Sequence, residues 1–172
     1  MEQLAGLIRE VPDFPKAGIM FKDITPVLAD AVALRALIHG LVDPFLTSEV
    51  THVAGIEARG FTLAAPAATL LGAGFIPVRK PGKLPSAVIR EEYSLEYGTD
   101  ALEVHRDAAR PGDRVLVVDD VIATGGTAAA AVRLLNHLGA HVVGVSVFIE
   151  LAFLNGRRQL EGVAFHAITS YA

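Results

Sequence analysis

Apolar residues recur along the chain with two different periods. Leu34, Leu37, Ile38, Leu41 and Phe45 follow helical spacing, and Asp30 stands where an N-cap belongs. Ala128, Ala131, Val132, Leu135 and Leu138 form a second helical stripe, and Gly139 follows it as a C′ residue. Between these stripes lie short apolar runs. They are His52 to Ile56, Phe75 to Val78, Val115 to Val118 and Val142 to Ile149. The run at Val115–Val118 is continuous and β-branched, which predicts a strand buried on both faces. The stretch from Thr62 to Val78 reads as a buried helix followed by a buried strand. Strands alternating with helices predict an α/β domain with a mostly parallel central sheet flanked by helices.

Two segments break the rhythm. Residues 10–30 are rich in Pro and Gly and precede the first run. Residues 79–106 are rich in charge, and Leu102 and Val104 alternate with Glu103 and His105, which predicts a half-exposed strand or hairpin. A long irregular segment in a compact domain is more often functional than idle.

Composition narrows the function. The 172 residues contain no cysteine, which excludes disulfides, a thiol nucleophile and a thiolate metal site. Hydrophobic residues make up 52%, too many for a disordered chain and enough for one domain spanning 1–172. Fifteen Lys and Arg face nineteen Asp and Glu, a net charge of −4 that argues against a nucleic-acid partner. The first residues show no basic start followed by an apolar stretch, and Pro66, Gly72, Gly74 and Pro77 interrupt the most apolar segment. The expectation is a cytoplasmic protein with no membrane contact. His137 and His141 lie four apart, but Gly139 separates them, and no metal-ligand cage is legible.

The chemistry concentrates after the Val115 run. Asp119 and Asp120 come first, then Val121, Ile122 and Ala123, then Thr124-Gly125-Gly126-Thr127, then a helical stripe. In an open parallel sheet, ligands bind beyond the carboxyl ends of the strands. Glycines let backbone N–H groups converge, the threonines add hydroxyls, and the helix N-terminus adds roughly half a positive charge. This is a phosphate cradle without the Lys of a Walker A loop. Two carboxylates beside a phosphate would repel it, so they should face hydroxyls or a metal-bound group. Because successive strand residues point to opposite faces, both can reach one ligand only if the chain turns out of the strand at Asp120. A phosphate beside vicinal hydroxyls describes a ribose 5-phosphate.

The segment Val117 to Thr127 resembles the phosphoribosyl-pyrophosphate signature of the type I phosphoribosyltransferase family, and other segments resemble its adenine-using members. Phe14 to Leu28 looks like their base-binding segment, and Gly55-Ile56-Glu57-Ala58-Arg59-Gly60-Phe61 like their pyrophosphate loop. Val78 to Pro85 and Tyr93-Ser94-Leu95-Glu96-Tyr97-Gly98 look like their mobile catalytic loop. The match runs from about Val11 to Glu150; Lys22 stands where many members carry Arg, and no motif follows Glu150.

The resemblance implies a type I fold with a small N-terminal hood over the base at 10–30 and a mobile loop at 79–106. It implies transfer of a 5-phosphoribosyl group from phosphoribosyl pyrophosphate to adenine, with Mg²⁺ riding on substrate oxygens and no metal ligand from the protein. Asp119, Asp120, Ala123, Thr124, Gly125, Gly126 and Thr127 would hold the ribose 5-phosphate. Ala58, Arg59, Gly60, Arg79, Lys80 and Lys83 would hold the pyrophosphate. Met20, Phe21, Lys22 and Val121 would hold adenine, with Phe21 stacking on the purine. Glu96 would be the acid/base, holding or removing the proton next to the attacking purine nitrogen. A homodimer is also implied. The rival readings are a transferase for another base, such as xanthine or orotate, and a regulator that senses phosphoribosyl pyrophosphate and binds nucleic acid. The second should carry a basic face or a DNA-binding extension, and neither is visible here.

Overall fold

The structure, a computed structural model, describes residues 2–94 and 98–172. A short helix α1 (Glu2–Ala5) leads into β1 (Arg9–Val11), which pairs antiparallel with β2 (Phe21–Asp23). Two helices follow, α2 (Thr25–Ala29) and α3 (Ala31–Val42). The Asp30 side chain caps α3 as expected, accepting from the Val32 and Ala33 N–H groups at 2.9 and 2.8 Å. Next come β3 (His52–Ile56), α4 (Arg59–Leu71) and β4 (Gly74–Val78). The hairpin β5 (Val88–Ser94) and β6 (Thr99–His105) separates them from β7 (Arg114–Ile122), α5 (Gly126–His137), β8 (His141–Leu151) and β9 (Phe165–Tyr171). Gly139 has the positive φ, +85°, that closing α5 requires.

The central sheet has the order β4-β3-β7-β8-β9, and every pairing in it is parallel. Helices α3 and α4 pack on one face through Leu37, Leu41 and Leu63 against Val53, Leu116, Val118 and Phe148. Helix α5 and the β5–β6 hairpin cover the other through Leu102, Val104, Leu134 and Leu135 against Val115, Val117, Val145 and Val147. Val115–Val118 are thus buried from both sides, as the continuous apolar run predicts. Among the described residues, no helix is long and apolar enough to cross a membrane.

Three local expectations change. The Pro- and Gly-rich segment 10–30 does not precede the first strand, because it contains the end of β1 and all of β2. The 79–106 segment does form a hairpin, but β6 is not half-exposed. Glu103 is only 8% exposed, because its carboxylate accepts from the Gly82 N–H at 2.9 Å and its main chain bridges to Arg79. A buried carboxylate with a donor is affordable where an unpaired one is not. Finally, β7 does not end where the apolar run ends: its ladder with β8 continues to Ile122 opposite Glu150.

Candidate active site

The sheet order fixes where a ligand can bind. From β3 the chain moves outward to β4, and from β7 it moves the other way to β8 and β9. The switch point therefore lies between β3 and β7, where crossover segments leave in opposite directions and a crevice opens at the carboxyl ends. A cleft of about 260 Å³ occupies this position. Its walls come from Ile56, Glu57, Ala58 and Arg59 after β3, from Lys80 after β4, and from Asp119 to Gly125 with Thr127 at the end of β7 and start of α5.

Both aspartates reach this cleft although the chain does not turn out at Asp120. The pairing of β3 with β7 stops at Gly55 opposite Val118, so β7 runs on with its β3-side edge unpaired by that strand. Asp119 and Asp120 lie on that free edge, and one cleft meets both. Asp119 is recessed beside the start of α4. A Cβ on Gly60 would lie 2.9 Å from its Oδ1 and 3.0 Å from the Val118 carbonyl oxygen, so only glycine lets the α4 N-terminus sit this close. Asp120, 4% exposed, faces Arg59 with Oδ2 3.0 Å from Nη1. Burial and then the neighbouring Asp120 charge push the Asp119 carboxyl well above the usual aspartate range. Burial also raises Asp120, and Arg59 partly offsets this.

These shifts have a sign for stability. A carboxyl with a raised folded-state pKa binds its proton more tightly folded than unfolded. Its penalty is absent below the unfolded pKa and grows as pH rises toward the folded one. Asp119→Asn keeps an oxygen for the Asp120 N–H, now 2.9 Å from Asp119 Oδ1, and removes the recessed charge beside Asp120. The ligand-free variant is expected to melt higher than wild type at pH 7. The gap should close toward pH 3. Calorimetric melts across pH check this; a lower Tm for the variant at pH 7 would refute the burial penalty.

The cradle follows directly. Gly125 caps α5 with φ +84°, and no side chain caps the helix. The first N–H groups of α5 therefore keep the orphan donors that a phosphate can take. A Cβ on Gly125 would drive into the Gly156 carbonyl, 2.8 Å from its carbon, and a Cβ on Gly156 would lie 2.8 Å from the Gly125 nitrogen. The two glycines let the loop rest on the 3₁₀ turn Gly156–Leu160. That contact is a supporting element the sequence reading missed, since nothing after Glu150 carries a motif. The Asn155-Gly156 dipeptide, a turn signal, is the trace of it in the sequence.

The cationic residues are more committed than a loose basic face. Arg79 donates to Glu57 from Nε at 3.2 Å and Nη2 at 3.0 Å, and to the Lys83 carbonyl at 2.9 Å. Arg79 hydrogen bonding, with further help from the Lys80 N–H and the charges of Arg79 and Lys83, holds the Glu57 carboxyl below its usual range against the opposing effect of burial. Lys80 lines the cleft beside Glu57, and the charges of Arg79 and Lys83 both act on the Glu57 carboxylate. Burial pulls the Lys80 ammonium pKa down, but hydrogen bonds to Asp100 and Tyr93 outweigh it and leave it raised.

The β1–β2 pair is joined to the cleft through Arg59, whose guanidinium carbon lies 5.0 Å from the Phe21 ring centre. Phe14 packs edge-on against Phe21 at 5.0 Å. Val121 lines the cleft. The Lys22 side chain turns elsewhere: it pairs with Glu10 and its Nζ lies 3.9 Å from the Tyr171 ring centre, so only its main chain is left for a base. Glu96 lies outside the described residues. Among the described residues, no group of three His, Cys, Asp or Glu could hold a metal ion.

Comparison with known proteins agrees with this geometry. The family model for the phosphoribosyl transferase domain matches residues 22–164. An adenine phosphoribosyltransferase of Anaeromyxobacter dehalogenans is 57% identical, over 99% of this chain and 99% of its own. The crystal structure of adenine phosphoribosyltransferase from Rhodothermus marinus superposes with a TM-score of 0.96 at 54% identity, covering 99% of this chain and 97% of that one. The Saccharomyces cerevisiae enzyme, solved with an imino-altritol bisphosphate and adenine, has a TM-score of 0.92 at 36% identity, covering 98% and 97%.

Proposed function

The chain belongs to the phosphoribosyltransferase family, and we propose that it carries out the adenine reaction of that family, transfer of a 5-phosphoribosyl group from phosphoribosyl pyrophosphate to adenine. The products are AMP and pyrophosphate. The observation that carries the proposal is the cleft at the β3–β7 switch point, where two carboxylates and a glycine-opened helix N-terminus share one wall and Arg59 faces Asp120. The names of the close relatives specify the base.

The residues divide the substrate among them. Thr124, Gly125, Gly126 and Thr127, following Ala123, take the 5-phosphate on orphan N–H groups and hydroxyls. Asp119 and Asp120 accept hydrogen bonds from the ribose hydroxyls and stabilise positive charge developing on the ring as the C1–O bond breaks. The main chain at Ala58 and Gly60, with Arg59, Lys80 and Lys83, takes the pyrophosphate, and Arg79 braces Glu57 behind them. Phe21 and Val121 enclose adenine, and the main chain at Met20 and Lys22 reads its edge. Glu96 holds or removes the proton beside the attacking nitrogen. Mg²⁺ carried on substrate oxygens, with no ligand from the protein, would supply charge neutralisation for the leaving pyrophosphate. We read residues 10–30 as the hood of a single 1–172 domain. By the same resemblance the working protein is a cytoplasmic homodimer.

The direct test is incubation of the protein with adenine, phosphoribosyl pyrophosphate and magnesium. AMP and pyrophosphate should form in equal amounts, and absence of AMP would overturn the proposal. Arg59→Ala tests the division of the site. Losing a charged hydrogen-bonding partner costs about 1.5–3 kcal/mol. Product inhibition by pyrophosphate should weaken by that amount and inhibition by AMP by less. Equal weakening would move Arg59 from the leaving group to the ribose, beside its present partner Asp120.

A further inference from the structure

Lys80 is tied down at both ends, and the partners of its ammonium have no part in the reaction as described. Its N–H donates to Glu57 at 3.0 Å, at the cleft wall. Its Nζ donates to the Tyr93 hydroxyl at 2.8 Å and to Asp100 Oδ2. The Tyr93 hydroxyl donates in turn to the same Oδ2 at 3.1 Å, and the Ala101 N–H holds the other Asp100 oxygen at 2.7 Å. Tyr93 and Asp100 are opposite one another in the β5–β6 register, so the pairing of two strands sets their spacing. Tyr93 is 6% exposed and fixed by packing. An ammonium has three donors. Two are spent here, which sets the axis of the third.

The placement is unfavourable for binding by charge alone. A carboxylate beside a polyanion site repels the ligand, and a lysine that only needed to be positive would do better without one. A flexible four-carbon side chain, however, loses much rotamer freedom when it must meet a ligand in one geometry. Fixing it beforehand removes that cost.

We infer that Asp100 and Tyr93 are positioning residues for Lys80, holding its ammonium on the cleft wall so that its remaining donor meets the pyrophosphate portion of phosphoribosyl pyrophosphate. This rests on the reading of Lys80 as a pyrophosphate contact. It adds two residues, neither of which lines the cleft, to the determinants of leaving-group binding.

The experiment compares inhibition by pyrophosphate and by AMP in wild type, Asp100→Asn, Asp100→Glu, Tyr93→Phe and Lys80→Gln. Simple electrostatics predicts tighter pyrophosphate binding in Asp100→Asn, since a negative charge has gone. Positioning predicts the reverse. The inhibition constant for pyrophosphate and the KM for phosphoribosyl pyrophosphate should rise roughly tenfold, the factor expected when a charge-assisted hydrogen bond is lost. The constant for AMP should hold. Tyr93→Phe should move the same two constants by a smaller factor, and Asp100→Glu should recover part of the loss. Should Asp100→Asn fail to fold, Tyr93→Phe carries the test, because it keeps the buried ring. Unchanged or tighter pyrophosphate binding overturns the inference, as does equal weakening of AMP. Lys80→Gln separates the two layers. If it weakens pyrophosphate while Asp100→Asn and Tyr93→Phe do not, the positioning role alone fails. If it has no effect, the pyrophosphate reading of Lys80 fails and the inference falls with it.

Discussion

Gly125→Ala is expected to abolish useful binding of both AMP and phosphoribosyl pyrophosphate in a protein that still folds. Two costs combine at this position. The backbone sits at φ +84°, which an L side chain adopts at roughly 1–2 kcal/mol. The added Cβ also meets main chain rather than a movable side chain: the Gly156 carbonyl carbon at 2.8 Å and the Gly156 Cα at 3.0 Å. The loop must therefore lift off the turn at 156–160, carrying the N–H groups of the cradle with it. A misplacement of about 1 Å in a binding constellation can cost on the order of 10²-fold. Gly162→Ala is the control. Its φ is +82°, but a Cβ there meets nothing within 4 Å, so it bears the backbone cost alone. Titration calorimetry on both variants separates strain from displacement. Wild-type affinity for both ligands in Gly125→Ala would overturn the cradle, and equal loss in Gly162→Ala would reduce the effect to general destabilisation.

That collision differs from the one the sequence suggests. A Thr-Gly-Gly-Thr loop at a helix start points to glycine as the residue that lets backbone reach phosphate. The structure shows Gly125 facing Gly156 instead. The loop, its helix and its ligand class are local properties, written in periodicity and glycine spacing, and so they are legible. The support beneath the loop is a contact between segments distant in the chain, and it leaves no periodic trace. The same distinction separates Asp30 and Gly139, which cap the helices they adjoin, from Lys80, whose partners Tyr93 and Asp100 follow only from the β5–β6 register. Charge runs name the groups but not their pairings. Arg79 looks like a free cation in sequence and is bidentate on Glu57 in the fold. The aspartate pair departs from its local pattern for a related reason. Strand alternation was the correct local rule, but the early end of the β3 pairing at Val118 decided that both residues reach one cleft.

The strongest expected discrimination is among bases, and it falls to main chain. Ile19, Met20 and Phe21 carry apolar side chains, so they can read a purine edge only through N–H and C=O groups. The fold narrows this further. The Ile19 carbonyl accepts from the Phe14 N–H at 3.3 Å and the Ile19 N–H donates to the Lys16 carbonyl at 3.2 Å, so both groups of Ile19 are spent within the 14–19 loop. The Lys22 side chain is spent on Glu10. The reading edge is then the main chain running from Met20 toward Lys22, beside the Phe21 ring that Phe14 and Arg59 hold. In the proposed adenine site, a C=O and an N–H there would accept from the 6-amino group of adenine and donate to its ring nitrogen 1. Hypoxanthine, guanine and xanthine present an oxo group and an N–H at those positions, which sets acceptor against acceptor and donor against donor. Sites built on buried hydrogen bonds reject such analogues by about 10⁴–10⁵. The expected result is a kcat/KM for adenine exceeding that of each 6-oxo purine by this order. Met20→Leu should leave the ratio intact, because the Met20 side chain, 48% exposed, is not the reader. Comparable kcat/KM values for adenine and any 6-oxo purine would overturn main-chain readout and the adenine assignment together, while the ribose 5-phosphate site at the β3–β7 switch point would stand on its own geometry.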